Sequence, residues 1–281
     1  QAGFDTATFF MGSGAKKADR GKGVLFSTSN HTLERLYSFK ENNVMYVSNS
    51  MPFLLYMSEN NLKLNYLEYE SDFNSILKGI NQYQKHIVLE DDKHLQIHYY
   101  CNFYIDENFN VVEMSKSKTK EFMSYDDYYN SLIKDLESFV MNASNQARKN
   151  KYGMITTISR GYDATACAAV AIDLGCQKAV SFDSPAKYAE DCGDEIARNL
   201  GFKEIITKNA NLYLENKNLI EAEFVSSGEL GTGIVFTAFE NEFRNKSLHQ
   251  FIGYIHIKLN TVIKAVILDG EISLQVFYFF F

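Results

Sequence analysis

Ile155-Thr156-Thr157-Ile158-Ser159-Arg160-Gly161-Tyr162-Asp163-Ala164-Thr165-Ala166 sets the architecture expected of everything around it. The apolar, β-branched run Ile155 to Ile158 predicts a strand that stops at a small polar turn. A helix-like run, Ala166-Cys167-Ala168-Ala169-Val170-Ala171-Ile172, follows at once. Strand, tight turn and helix in that order aim backbone N–H groups at a phosphate. The turn is therefore expected to hold the pyrophosphate end of ATP. Ser159 and Thr165 offer hydroxyl donors, and Gly161 lets the backbone approach an anion. Asp163 would repel a bare phosphate, so it is assigned to Mg2+ held against the phosphate oxygens. Ser and Asp also cap helices with no ligand present.

The rhythm on either side of this turn is β-α-β-α-β. Tyr152 to Ile158 is the first strand, and Thr165 to Leu174 a helix closed by Gly175. Lys178 to Phe182 is the second strand. Glu190 to Leu200, closed by Gly201, is the second helix, and Glu204 to Thr207 the third strand. Thr232 to Phe243 reads as helical and Leu248 to Ile252 as a fourth strand. Before them, Ser124 caps a helix whose apolar stripe is Tyr129, Leu132, Ile133, Leu136, Phe139 and Val140. The expected class is α/β, a doubly wound parallel sheet, with ligands bound beyond the carboxyl ends of its strands.

Residues 31–125 read mostly as β. Val44 to Ser48, Pro52 to Tyr56, His86 to Leu89, Leu95 to Tyr100 and Phe103 to Asp106 are the apolar runs, and Tyr69 to Tyr83 a helix between them. The basic, Gly-rich start around Gly12-Ser13-Gly14-Ala15-Lys16-Lys17 lacks the spacing of a Walker loop and reads as a loop. His94 and His98 sit at i,i+4, a spacing that on a helix puts two metal ligands on one face; the local pattern favours a strand, where they stand further apart, and they read as ordinary surface histidines. Composition shifts near Ser115-Lys116-Ser117-Lys118-Thr119-Lys120, which divides a β-rich domain, 1–120, from an ATP-binding domain, 121–281.

Composition narrows the partners. A net charge of −7 argues against a general nucleic-acid binder. The four cysteines, Cys101, Cys167, Cys176 and Cys192, show no CxxC spacing and read as thiols of a reducing, cytoplasmic compartment. No apolar run reaches the roughly 18 residues of a membrane span, and no signal peptide is expected. High Tyr and Phe content permits an oligomer interface.

Ser159-Arg160-Gly161-Tyr162-Asp163-Ala164-Thr165 resembles the SGGxDS[ST] signature of the PP-loop, or N-type ATP pyrophosphatase, superfamily. The order of helix, strand, signature, helix and a strand ending in Ser181-Phe182-Asp183 is similar to the asparagine synthetase family. That resemblance implies adenosine contacts at Ile158, Ser181 and Phe182, and phosphate contacts across Ser159, Arg160, Gly161, Tyr162, Asp163, Ala164 and Thr165. It also implies ATP and Mg2+ as cofactors and a small-molecule carboxylate with ammonia or an amine as substrates. Tyr46 to Leu55 looks like the ASxxxxLL segment of class II glutamine amidotransferase domains. Gln1 is not the cysteine nucleophile of such a domain, so an incomplete or inactive glutaminase half is inferred.

The pattern is altered at two positions. Arg160 replaces a Gly, and Ala164 replaces a Ser that would donate to pyrophosphate. One lost anion donor costs about 1–3 kcal/mol. Arg160 offsets that loss if it turns inward and does not if it points to solvent. Phe251-Ile252-Gly253-Tyr254 runs into Ile255-His256-Ile257-Lys258-Leu259 with no Gly/Asp/Glu-rich loop of the family's kind. The expectation is an AMP-forming ligase that adenylates a carboxylate and makes an amide. Its alternatives are another PP-loop adenylation such as thiolation, and a nucleotide-binding protein whose degenerate loop does not catalyse.

Overall fold

The computed structural model describes residues 3, 5–7, 10–18, 23–32, 34–63, 68–116, 121–148, 151–183, 191–215, 233–243, 246–248, 260–268 and 271–279. The chain is mixed α/β and divides into two compact units. The first unit takes the described residues of Gln1–Thr119 and Lys258–Phe281, the second those of Lys120–Glu221 and Gly231–Ile257.

The first unit begins with β1 (Gly14–Lys17), β2 (Gly23–Ser27), β3 (Leu36–Glu41) and β4 (Val44–Ser48). Residues 14–17, expected in a loop, pair instead with β2, so Lys16 stands opposite Leu25 on an edge strand. Lysines are common on edge strands because they discourage further pairing. Helix α1 (Met51–Ser58) follows, where a β-type run was expected. The reason is local. The Ser50 hydroxyl accepts the Phe53 N–H, and Pro52 falls in the first turn, where no N–H is needed. Glu59 then ends the helix in the left-handed region at φ 55°. Next come α2 (Tyr69–Asn74), extended by a 3-10 turn at Ser75–Lys78, then β5 (His86–Val88), β6 (His94–His98), β7 (Cys101–Asp106) and β8 (Val111–Ser115). The helix expected to run to Tyr83 is thus shorter.

Two antiparallel sheets result. One has the order β1-β2-β7-β8, and the other includes β4-β3-β6-β5. On β3, Leu36, Tyr37, Ser38 and Phe39 are all buried, which means that both faces of the strand are covered. Tyr37 and Phe39 pack with Met51 and Leu54 of α1, while Leu36 packs with Val24, Phe26 and Phe103 of the other sheet. A strand covered on both sides reads as a continuous apolar run and not as an alternation. By contrast, β7 alternates cleanly, with Cys101, Phe103 and Ile105 buried.

The second unit opens with α3 (Tyr125–Ala143), capped by Ser124, whose hydroxyl accepts the Asp127 N–H. Of its residues only Leu136 and Ala143 are buried, and most of the expected stripe is half-covered. Then follow β9 (Gly153–Thr157), α4 (Tyr162–Asp173), β10 (Lys178–Asp183), α5 (Asp194–Leu200), β11 (Glu204–Asn209) and the three-residue β12 (Lys246–Leu248). These strands form a small parallel sheet, β11-β10-β9, with β12 beside β9. Ala168, Ala171 and Ala197 of α4 and α5 cover one face together with Ile158 and Ala179. Phe239 and Phe243 cover Ile155 and Val180 on the other. Of the segment expected to be a helix from Thr232, residues Gly233–Phe239 form a 3-10 helix and Glu240–Phe243 an α-turn. The expected fourth strand overlaps β12 at Leu248 only; residues 249–259 lie outside the described residues, as do Glu190 and Thr232.

The chain returns to the first unit in β13 (Asn260–Leu268) and β14 (Glu271–Phe279), an antiparallel hairpin. β13 pairs with β4, placing Ile263 opposite Val47, and completes the six-stranded order β14-β13-β4-β3-β6-β5. Residues 260–279 were expected in the ATP-binding domain. Their β-branched run instead extends a sheet edge left open by β4.

Leu54 is fully buried, whereas Leu77 is 86% exposed. Leu54→Ala is expected to cost about 2–5 kcal/mol, the range for emptying a packed leucine site. Leu77→Ala should stay within about 0.5 kcal/mol. Urea midpoints of the two variants check the difference.

Candidate functional site

The turn quoted first lies between β9 and α4, after the carboxyl end of a parallel strand. The helix starts earlier than expected, at Tyr162, with Gly161 as its N-cap at φ −65°, ψ 143°. Gly161 has no side chain to give, and no side chain caps the first turn. Helix N-terminal N–H groups that lack a cap are the ones open to an anion.

Local bonds occupy part of the turn. The Gly161 N–H donates to Ser159 Oγ at 3.1 Å, and the Thr165 hydroxyl donates to the Ser159 carbonyl at 3.2 Å. A hydroxyl has one proton to give. Thr165 therefore spends its donor inside the turn, while Ser159 accepts with its oxygen and keeps its proton for another acceptor. Ala164 offers none. Tyr162 is 95% exposed, and Asp163 stands exposed in the first turn of α4.

Arg160 has two attachments. Its N–H donates to the Asp191 carbonyl at 3.2 Å. Its guanidinium lies 3.7 Å from the Glu195 carboxylate of α5. Both side chains are exposed, so this pair contributes at most about 1 kcal/mol. Its consequence is positional: the charge available to offset the missing Ser is turned toward a carboxylate.

Ile158 and Ser181 are buried and bonded to each other. The Ile158 N–H donates to the Val180 carbonyl at 2.9 Å, and the Ser181 hydroxyl donates to the Ile158 carbonyl at 2.9 Å. Ser181 Oγ also accepts the Gly193 N–H at 2.9 Å. Phe182, next along β10, points to the other face of the sheet, its ring 5.0 Å from both Phe236 and Phe239. The structure thus gathers Ile158, Ser159 and Ser181 with the turn and sends the Phe182 side chain away from them, as strand alternation requires.

Residues 191–193 also join the turn. Cys192 pairs with Ser159 in an antiparallel bridge. Gly193 approaches so closely that a Cβ there would lie 2.8 Å from the Ile158 carbon and the Ser159 nitrogen. The sequence signal was the Cys192-Gly193 pair itself, since an isolated Gly before a helix marks close backbone approach.

Neither known protein-family models nor curated proteins match this chain.

The Ser181 bridge and the Gly193 contact make two measurable claims. Ser181→Ala should lower stability by about 1–3 kcal/mol, because it leaves buried backbone groups without that partner. Gly193→Ala should cost about 1–3 kcal/mol through overpacking against backbone that cannot turn aside. Denaturant unfolding followed by circular dichroism reads both, and a neutral Gly193→Ala would contradict the close approach.

Proposed function

We propose that the Ser159–Thr165 turn binds the phosphates of ATP and that the chain is an AMP-forming carbon–nitrogen ligase of the asparagine synthetase kind. One observation carries the reading. From β9 the chain builds outward through α4 to β10 and β11, then returns to place β12 on the other side of β9. The turn after β9 therefore sits where strand order reverses, the place at which open α/β sheets bind ligands. The helices on one sheet face and residues 233–243 on the other support a doubly wound arrangement.

In this reading the amide groups at the start of α4 and the Ser159 hydroxyl contact the departing pyrophosphate. Asp163, exposed in the first turn, is the carboxylate suited to hold Mg2+ beside it. A substrate carboxylate oxygen attacks the α-phosphorus, and the bond to pyrophosphate breaks. Ammonia or an amine then attacks the acyl carbon, and AMP leaves with the bonding electrons. The protein's part is positioning and electrostatic stabilisation. Transfer of sulfur in place of nitrogen uses the same first step.

A second reading, nucleotide binding without catalysis, draws on three features of the turn. Ala164 cannot donate, Thr165 has donated already, and the Arg160 guanidinium faces the Glu195 carboxylate. Isotope exchange between pyrophosphate and ATP, with AMP release measured across candidate carboxylic acids, separates the two. Exchange supports the ligase, and ATP binding without AMP under any acid supports the second reading. A folded protein that binds neither ATP nor AMP sinks both. Ser159→Ala and Asp163→Asn should each weaken ATP binding by about 10- to 100-fold, as expected for hydrogen bonds and contacts to charged groups.

A further inference from the structure

His98, Cys101 and Glu113 come together inside the first unit, and their donor atoms all lie within 4.8 Å of one another. Three different elements supply them. His98 ends β6 in the six-stranded sheet, and after Tyr99 and Tyr100 the chain crosses to the other sheet, where Cys101 opens β7. Tyr100 makes the crossing in the left-handed region, at φ 47°. Glu113 stands on β8 beside Phe103, on whose ring the His98 imidazole stacks at 4.1 Å. The backbone of Cys101 is clamped by Thr28, whose hydroxyl accepts its N–H at 3.0 Å and whose own N–H reaches its carbonyl at 3.1 Å. His98 is 2% exposed, against the surface position expected of it.

We propose that His98, Cys101 and Glu113 form a site for a divalent cation of the zinc class, with one coordination position open to the adjoining pocket. Imidazole, thiolate and carboxylate are the donor types that zinc takes, and three protein ligands plus one open position is its usual open-site arrangement. Tetrahedral zinc holds its ligand atoms roughly 3.3–3.8 Å apart, so small side-chain movements close the set. The dication is balanced by the Cys101 thiolate and the Glu113 carboxylate.

The surrounding bonds suit such an ion. His98 Nδ1 lies 2.9 Å from Glu113 Oε1, the hydrogen bond that the cation would replace. Lys85 holds the other carboxylate oxygen, which leaves Oε1 to the site. His98 Nε2 lies 2.8 Å from Ser38 Oγ, and Ser38 Oγ lies 3.2 Å from Gln96 Oε1. With Nδ1 on the metal, the imidazole proton sits on Nε2 and is donated to Ser38, whose own proton passes to Gln96. A metal-bound histidine nearly always donates its second nitrogen in this way. Binding releases one proton per ion, from the Cys101 thiol. The open position faces a pocket of about 260 Å3 lined by His98, Glu113, Lys85 and His86. The Nδ1 of His86 is buried and has no hydrogen-bond partner among the described residues. His86 lines the same pocket as His98 and Glu113.

The test uses the full chain, cleared with a chelator and titrated with Zn2+ and separately with Co2+. One equivalent of Zn2+ per chain is expected, and the Co2+ form should show the near-ultraviolet charge-transfer band of a thiolate ligand. Cys101→Ser should abolish that band and weaken Zn2+ binding by more than 100-fold, and Ser38→Ala should weaken it by about 10- to 100-fold. The wild-type cobalt spectrum needs no variant, so a Cys101→Ser chain that fails to fold does not protect the proposal. No stoichiometric Zn2+ on folded wild-type chain, a cobalt form without the thiolate band, or a band that survives in Cys101→Ser overturns it.

Discussion

One hydroxyl group ties the end of β9 to the start of α5. Ser181 Oγ gives its proton to the Ile158 carbonyl and takes one from the Gly193 N–H. The first bond fixes the end of β9, and the second fixes the start of α5. Between them the Ser159–Thr165 turn has little freedom to move, because Cys192 pairs with Ser159 and Asp191 accepts the Arg160 N–H. The buried Ser181 is thus a positioning residue for the turn. The same bonds that hold the turn also consume donors, so its open face consists of α4 amide groups and the Ser159 proton.

The first unit follows a different constraint. Its six-stranded sheet is covered on one face by α1 and α2 and on the other by the four-stranded sheet. Placing His98 between the sheets is costly unless it is hydrogen-bonded. Burial disfavours its protonation, and a neutral ring donating through Nδ1 serves the Glu113 carboxylate. That hydrogen bond, together with Lys85, pulls the Glu113 carboxyl down to about 2. Burial pushes the neighbouring Cys101 thiol up to about 12. His98 and Cys101 are thus buried between the sheets, while Glu113 and Lys85 meet them from the exposed side.

Much of the second unit was legible in the sequence. Gly175 and Gly201 end α4 and α5 at φ 87° and 90°, as expected of helix-terminating glycines. The β-branched runs became β9, β10 and β11 because each is flanked by turn residues and is too short for a helix. The first unit was less legible. Met51 to Ser58 reads apolar all round because it is buried on several sides, and an all-apolar run has no period to distinguish helix from strand. The cap at Ser50 and the Pro at 52 were the signals that favoured a helix. In the candidate site, Ser159, Gly161 and Asp163 were legible from their order along the chain. Cys192 and Gly193 were not, because their role arises only when β10 and α5 fold back onto β9.

The sequence by itself determined the strand-turn-helix unit at residues 153–173 and the residue types it presents, since short-range periodicity and turn chemistry are local properties. It also determined that Arg160 and Ala164 alter the turn. Tertiary structure decided where Arg160 points, because Glu195 reaches it from another helix. It decided that β13 belongs beside β4, a pairing across more than 200 residues that no local pattern encodes. And it decided that His98 meets Cys101 and Glu113, because a strand aligns only alternate residues on one face, and the facing sheet supplies the rest.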